Sequence, residues 1–130
     1  MTEMISTANA PQAIGPYSQA IKVGNLLFVS GQLPADPATG NIVGEDITVQ
    51  TGQALSNLRT ILATADMSLA NVVKVSVFLA DLNDFTAMNQ VYATFFSAPY
   101  PARVAVQVAR LPKDARVEIE AIACKETAAS

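Results

Sequence analysis

Glycines and prolines divide this chain into short segments, and this division constrains the fold more than any other feature of the sequence. Turns are predicted at Gly15-Pro16, at Gly24-Asn25, from Pro34 to Gly40, from Pro99 to Pro101, and at Pro112-Lys113-Asp114. No segment reaches the ~18 consecutive apolar residues that a membrane helix needs. We therefore expect short strands and helices packed into one domain, residues 1–130, without repeats or linkers.

Alternating apolar residues predict five strands. They cover residues 17–22, 26–30, 71–79, 103–108 and 116–124. The first two flank Gly24-Asn25, a dipeptide typical of a hairpin turn. Alternation in the later strands predicts apolar faces turned towards the helices, formed by Val73, Val75, Val77, Leu79, Val104, Val106, Val108, Val117, Ile119, Ala121 and Ala123.

Two segments have the apolar spacing of an amphipathic helix. The first runs from about Asp46 to Asp66. The second is expected to begin at a cap formed by Asn83 or Asp84 and to end before Pro99. The apolar stripes of the two helices consist of Ala54, Leu55, Leu58, Ile61, Leu62 and Ala65 in the first, and Phe85, Met88, Tyr92, Phe95 and Phe96 in the second.

The order of these elements predicts an α+β domain with both helices on one face of the sheet. Two helices cover only one side, so the far face would remain bare. The residues expected on that face include Phe78, Ala105, Ile122 and Cys124 beside several charges. A surface of this kind is too apolar to face water comfortably, and we expect the chain to associate with itself there.

Charge and composition narrow the class of partner. The chain is 51% hydrophobic and 15% charged, with a formal net charge of −3. It therefore has no basic field to gather phosphates, which disfavours nucleic acid or an anionic membrane as a partner. The first thirty residues lack the pattern of a secretory signal, so we expect a cytoplasmic protein that acts on a small molecule.

The absence of histidine limits the chemistry. The chain has no His and a single Cys, Cys124. It cannot assemble zinc sites of the Cys/His kinds, Ser-His-Asp triads or Cys-His dyads. We expect no metal, and any catalysis must use carboxylates, Arg, Tyr, Lys, hydroxyls or backbone groups. Cys124 is more easily interpreted as a small interior or interface residue than as a nucleophile.

An arginine and a carboxylate are the leading candidates for a site. Alternation places Arg103, with Ala105, opposite the neighbouring valines, on the face turned away from the helices. It exposes Glu118 and Glu120 on the same face. In a cleft, the arginine could bind a carboxylate with two parallel hydrogen bonds, and the glutamate could deprotonate water. The alternative is an ordinary Arg-Glu ion pair, either between neighbouring strands or at an interface.

Four other residues have both a functional and a structural interpretation. Tyr17 follows a Gly-Pro turn and could present its hydroxyl to a ligand, or simply pack. Ser30 and Gly31 end a strand where a ligand could approach the backbone, although a glycine there also permits a bulge. Asn89 lies beside the apolar stripe of the second helix and could be only a polar flank.

Five groups of residues occur in order along nearly the whole chain. They are Ala13-Ile14-Gly15-Pro16-Tyr17-Ser18-Gln19-Ala20, Val29-Ser30-Gly31-Gln32, Asp81-Leu82-Asn83-Asp84-Phe85, Pro101-Ala102-Arg103, and Leu111-Pro112-Lys113 continuing to Val117-Glu118-Ile119-Glu120-Ala121-Ile122-Ala123. Together they closely resemble the reactive intermediate deaminase A family, also called RidA or YjgF. The resemblance implies a chorismate-mutase-like fold with a mixed sheet, and a homotrimer with clefts between subunits.

The resemblance also implies an activity without metal or organic cofactor. It is the hydrolysis of enamines and imines such as 2-aminoacrylate, 2-iminopropanoate and 2-iminobutanoate to 2-oxo acids and ammonia, which protects pyridoxal-phosphate enzymes. The carboxylate-binding arginine of the family falls on Arg103, its water-orienting glutamate on Glu118 and its cleft tyrosine on Tyr17. Further cleft positions of the family fall on Ser30, Gly31 and Asn89.

One departure from the family affects the same strand. Several bacterial members have Ser-Cys after the arginine, whereas this chain has Val104-Ala105. A contact made through the backbone carbonyl of Ala105 would survive this change. Two alternatives to the deaminase remain open: an endoribonuclease or translation inhibitor, as described for some relatives, and a non-catalytic metabolite-binding or holdase-like trimer.

Overall fold

The computed structural model describes residues 1–126. Six strands and two α-helices follow one another along the chain. They are β1 (Thr2–Ile5), β2 (Ala20–Val23), β3 (Leu26–Gln32), α1 (Ile47–Thr64), β4 (Val72–Leu79), α2 (Phe85–Phe95), β5 (Ala102–Gln107) and β6 (Val117–Cys124), with short 3-10 turns at Leu69–Asn71, Leu82–Asp84 and Pro112–Asp114. No helix within the described residues is long and apolar enough to cross a membrane.

The strands form one mixed sheet. Their order is β1-β2-β3-β6-β4-β5. All neighbouring pairs are antiparallel except β4 and β5, which run parallel and are connected through α2. The predicted α+β class and mixed sheet are confirmed, and both helices pack on one face of it. The last two elements of the chain thus lie on either side of β4, with β5 at the edge.

The hairpin predicted at Gly24-Asn25 forms as β2 and β3. Val23 pairs with Leu26, so the turn has two residues, and Gly24 has a φ of 58° that a side chain would oppose. Strand β2 begins at Ala20 rather than at residue 17. Strand β1 was not predicted, because only its last residue, Ile5, is buried and the segment shows no apolar alternation.

Helix α1 has the buried face that its sequence predicts, and a side chain caps its start. The Asp46 carboxylate accepts a hydrogen bond of 2.6 Å from the backbone N–H of Thr48, at the start of the helix. The apolar stripe lies against the sheet, and Leu55, Leu58 and Ile61 are fully buried.

Helix α2 begins differently from the prediction. Neither Asn83 nor Asp84 caps it with a side-chain hydrogen bond. Instead Asp81 accepts from the backbone N–H of Asn83 at 2.9 Å and starts a 3-10 turn that continues into the helix. The stripe is confirmed as core in its centre, where Met88 and Tyr92 are buried.

The core lies between the helices and one face of the central strands. It receives Leu27 and Val29 from β3, every second residue of β6, and every second residue of β4 from Val75 onwards. Val73 was wrongly predicted to join it and is 48% exposed. A register shift between Val72 and Lys74 turns Val72 inwards in its place.

The prediction for β5 exchanged the face that packs under the helices with the face that is exposed. Val104 and Val106 are 41% and 40% exposed, on the face away from the helices. Arg103 pairs with Val75, whose side chain is buried under the helices, so Arg103 lies on the helix side. Ala105 packs partly buried against the core, not on the bare face. An alternating pattern distinguishes the two faces of a strand, but it does not show which face the helices cover. In β5, the helices cover the face that carries Arg103.

The far face of the sheet is not covered by any described part of the chain. Phe78, Ile122 and Cys124 lie there partly exposed, as predicted, and Phe28 is 43% exposed beside Ile122. Together with Val104 and Val106 these side chains make a face of mixed apolar and polar groups. Self-association through this face remains our expectation from its apolar content.

A buried glutamine fastens the N-terminal segment to the sheet. Gln19 is 3% exposed and uses both ends of its amide. Its Oε1 accepts from the backbone N–H of Thr7 at 2.7 Å, and its Nε2 donates to the carbonyls of Thr7, Ala10 and Pro11 at 3.1, 3.4 and 2.7 Å. The side chain therefore fixes the loop that leads to Tyr17.

Replacement of Gln19 by leucine should destabilise the protein by about 2–3 kcal/mol, because buried backbone groups would lose their partners. The free energy of unfolding in urea, measured at one protein concentration, tests this. Gln12→Leu is the matched control, since Gln12 is exposed and bonds the same Thr7 carbonyl at 3.3 Å. Equal losses in the two variants would contradict the assignment of Gln19 as the fastening residue.

Candidate functional site

Arg103 is held by three residues of α2. Its Nη1 donates a hydrogen bond of 2.7 Å to Oδ1 of Asn89. The guanidinium carbon lies 4.7 Å from the ring centre of Tyr92 and 5.6 Å from that of Phe85. Both rings are close enough to attract the cation through their π-faces. We call Phe85, Asn89, Tyr92 and Arg103 the arginine cluster.

A cavity opens beside the arginine cluster. Its volume is about 380 Å³, and Arg103 and Asn89 line it together with Tyr92, Ala93, Tyr100 and Pro101. The guanidinium thus meets an open space with mostly apolar walls. Such a site suits a small anion that carries an apolar group.

Gly31 and Glu118 are neighbours on the adjacent strands β3 and β6. The register of β3 on β6 shifts between Val29 and Gln32, and Gly31 lies within this bulge. A Cβ on Gly31 would lie only 2.9 Å from the carboxylate carbon of Glu118. Ser30, also in the bulge, donates its hydroxyl to the carbonyl of Ser18 at 2.6 Å. The glycine therefore makes room for the carboxylate, and Ser30 ties the bulge to the Tyr17 loop.

The carboxylate of Glu118 is half-buried on the bare face of the sheet. This burial raises the pKa of Glu118 above its usual value, and the negative charge of Glu120 on the same face raises it further. A carboxylate with a raised pKa binds protons more readily at neutral pH than an ordinary one, which suits a general base.

Tyr17 stands beside a second, larger cavity. Tyr17 is 54% exposed, and Gly15, two residues before it, has a φ of 124°, a conformation that favours glycine. The cavity of about 510 Å³ is lined by Tyr17, Gly31 and the surrounding loops. Because Gly31 adjoins Glu118, we group Tyr17, Ser30, Gly31 and Glu118 as the glutamate cluster.

The structure keeps the two clusters apart within one chain. Glu118 pairs with Phe78 on the bare face, whereas Arg103 pairs with Val75 on the helix face. The ion pairs within residues 1–126 are Arg110–Asp114 and Arg116–Asp84, so the alternative of an Arg103–Glu118 ion pair is wrong for the single chain. In the same residues, no group of three or more His, Cys, Asp or Glu side chains could hold a metal ion.

Two aromatic members of the arginine cluster were missed as site residues. Phe85 and Tyr92 were assigned only to the apolar stripe of α2. The available signal was their spacing from Asn89, four and three residues away, which places all three on neighbouring turns of one helix face. Asn89 was expected to contact ligand, and in the structure it contacts Arg103.

Comparison with known proteins identifies the family to which this chain belongs. Residues 7–125 match the model of the family described as Endoribonuclease L-PSP. A RutC family protein of Pyrococcus horikoshii is 60% identical over 126 residues, which cover 97% of this chain and all of that protein. A goat protein named 2-iminobutanoate/2-iminopropanoate deaminase is 54% identical over 120 residues, or 92% of this chain and 88% of its own length.

Solved structures agree in fold. The crystal structure of E. coli TdcF with bound serine superposes with a TM-score of 0.91 at 46% identity, covering 95% of this chain and 99% of TdcF. RidA from an Antarctic Psychrobacter also superposes with a TM-score of 0.91, at 48% identity over 95% of this chain and 99% of its own.

The mixed sheet with two helices on one face defines this chain as an α+β protein of the kind that these solved structures show. The chain belongs to the Endoribonuclease L-PSP family, among whose members are the RutC and RidA proteins. Relatives about half identical to it bear the name of imine deaminases.

Substitution of Gly31 by alanine should lower the pKa of Glu118 towards its usual value. The added methyl group would push the flexible carboxylate out of its half-buried place and into water, which favours the charged form. A carboxyl ¹³C NMR titration measures this pKa directly. Gly52→Ala in α1 is the control, because its Cβ would meet no atom within 4 Å. An unchanged Glu118 pKa in Gly31→Ala would refute the contact.

Proposed function

We propose that this protein hydrolyses reactive enamines and imines of small amino acids, such as 2-aminoacrylate, 2-iminopropanoate and 2-iminobutanoate, to 2-oxo acids and ammonia. The observation that carries the proposal is the guanidinium of Arg103, which faces a cavity and pairs with no carboxylate of residues 1–126. The names of the deaminase relatives support the same reaction. Removal of these imines would protect the pyridoxal-phosphate enzymes that they attack.

Arg103 binds the carboxylate of the substrate in this proposal. Asn89 occupies one N–H of the guanidinium at Nη1, and the Nε–Nη2 edge makes no hydrogen bond within residues 1–126. That free edge has the geometry for two parallel hydrogen bonds to one carboxylate. The apolar walls of the cavity accept a short side chain.

Glu118 is the general base for the attacking water. Once the imine nitrogen is protonated, its carbon needs only a positioned water and no stronger nucleophile. The water oxygen bonds to that carbon while its proton passes to Glu118, which gives a carbinolamine. Glu118 then returns this proton to the nitrogen, and the C–N bond breaks with its electron pair leaving on ammonia. The hydroxyl proton passes to that ammonia, which leaves the 2-oxo acid and an ammonium ion.

The remaining candidates orient the substrate. Tyr17 presents its hydroxyl to a polar group of the ligand, and backbone groups at Gly31 and Ala105 orient the nitrogen and the departing amine. Ser30 holds the bulge that shapes this place, and Asn89 holds Arg103. The reaction as written requires no metal and no organic cofactor.

The protein acts as a homotrimer with shared clefts in this proposal. The arginine and glutamate clusters lie on opposite faces of the sheet, so one chain cannot bring them to one substrate. A neighbouring copy packed against the bare face and the β5 edge can supply the missing cluster. Such burial also covers the exposed Val104 and Val106.

An RNA-cleaving role has less support, despite the name of the family. The net charge is −3, and the chain has no His for acid–base catalysis. A groove for single-stranded RNA needs several cations along its length, whereas the arginine cluster holds one.

Arg103→Ala should lower imine hydrolysis about 100-fold or more, because each charge-assisted hydrogen bond to the carboxylate contributes roughly 1.5–3 kcal/mol. The assay generates the imine in situ with an amino-acid oxidase or threonine dehydratase, and semicarbazide competes for it. Arg103→Lys keeps the charge without the planar fork and should recover only part of the rate.

Arg110→Ala controls for loss of a positive charge, since Arg110 is 78% exposed and pairs with Asp114 on the surface. It should keep the full rate. A folded Arg103→Ala protein that is as active as Arg110→Ala would exclude Arg103 as the anchor. A wild type that is inert on small and large imino acids would leave a metabolite-binding or holdase-like role instead.

Mixing two inactive variants tests the shared cleft. Arg103→Ala and Glu118→Gln subunits, refolded together in equal amounts, should regain about a quarter of the wild-type activity, the share of intact clefts in randomly mixed trimers. Each variant refolded alone should remain inactive. Absence of recovery in mixed oligomers, confirmed by pulling down differently tagged subunits, would show that each cleft belongs to one chain.

A further inference from the structure

Three residues on one side of α2 converge on a single guanidinium. Phe85, Asn89 and Tyr92 lie four and three residues apart, so their side chains share a face of the helix. Two of them contribute ring faces and the third an amide oxygen. None of the three carries a charge.

The support of Arg103 differs from that of the arginines bound by ion pairs. Arg110 and Arg116 are held by the carboxylates of Asp114 and Asp84. Each of those carboxylates offsets the positive charge of the arginine that it contacts. Arg103 is fixed by neutral groups, so its charge stays uncompensated within residues 1–126 while its position is restricted.

Restriction matters because a free arginine side chain has many rotamers. Ordering such a side chain on binding reduces affinity, and a guanidinium held in place beforehand avoids that loss. A carboxylate in the same place would hold Arg103 equally well but would compete with an anionic ligand. Flat aromatic rings hold it without competing.

The ring of Tyr92 is the nearest of these supports. Tyr92 is 6% exposed, and its ring centre is 4.7 Å from the guanidinium carbon. Its hydroxyl is buried and has no hydrogen-bond partner among residues 1–126. The hydroxyl is thus closed off from the cavity, whereas the ring face is in contact with the arginine.

We propose that Tyr92 is a positioning residue whose ring, and not its hydroxyl, holds Arg103 in place to bind the carboxylate of the substrate. This inference rests on the proposed function for the role of Arg103. It predicts that loss of the ring weakens the binding of carboxylate ligands, and that loss of the hydroxyl alone does not.

The test measures the Kd for 2-oxobutanoate, the stable product of the proposed reaction, by isothermal titration calorimetry. Tyr92→Met fills part of the same space with a flexible apolar side chain that has no ring, and should bind about fivefold more weakly. Tyr92→Phe keeps the ring and should restore binding to that of the wild type. In the imine assay, the same loss should appear in KM, with kcat changed much less.

Phe95→Leu is the matched control. Phe95 lies on the same helix, and its ring is also under an arginine, with the Arg59 guanidinium carbon 5.1 Å from its centre. That arginine is outside both clusters, so the variant should bind 2-oxobutanoate normally. Thermal unfolding of each variant checks that it is folded at the temperature of the titration, and Tyr92→Leu replaces Tyr92→Met if the latter does not fold.

Each outcome is decisive for the inference. Equal weakening in Tyr92→Phe and Tyr92→Met would assign the effect to the hydroxyl and overturn it. Unchanged binding in a folded ring-less variant, or a wild type that does not bind 2-oxobutanoate, would overturn it too. A wild type that binds 2-oxobutanoate but hydrolyses no imine would instead overturn the proposed function, while the loss in Tyr92→Met would still support the positioning role.

Discussion

The site depends on the parallel pairing of β5 with β4. This pairing sets Arg103 beside the buried Val75 and so turns the arginine towards α2 rather than towards the bare face. The same register turns Val104 and Val106 outwards on the opposite face. A one-residue slip would exchange the two sets and leave the guanidinium without its aromatic support. The edge strand therefore positions a polar group for function on one side and leaves apolar side chains to be covered on the other.

This arrangement links assembly to chemistry. An isolated chain presents an arginine held without a counter-charge on one face and a half-buried glutamate on the other. Neither cluster is sufficient for the hydrolysis we propose, since one lacks a base and the other lacks an anchor for the carboxylate. In the proposed oligomer, association through the bare face would bury apolar surface and complete the site in one step. Stability of the oligomer and activity would then share the same contacts.

The sequence predicted most of the elements and most of the faces that they bury, but not the face that β5 buries. The hairpin, both helices and the strands with strong alternation lie close to their expected positions, because turn chemistry and apolar periodicity are local properties. Three features escaped. Strand β1 has too little buried surface to show a pattern, and the shift at Val73 depends on pairing with a distant strand. The orientation of Arg103 depends on which face α2 covers, and local spacing holds no information about that contact.

One residue of the glutamate cluster, Glu118, lowers the stability of the fold when it is ionised. Burial and the neighbouring Glu120 raise its pKa, so the folded protein favours the protonated form. Its contribution to stability is therefore complete at low pH and is lost as the pH rises through the raised pKa. At a pH where Glu118 is ionised, it lowers the stability of the folded state. Gly31 keeps the space that this carboxylate occupies, and a residue chosen for packing alone would fill that space. A destabilising carboxylate beside a glycine that accommodates it is the arrangement that the base of the proposed hydrolysis requires.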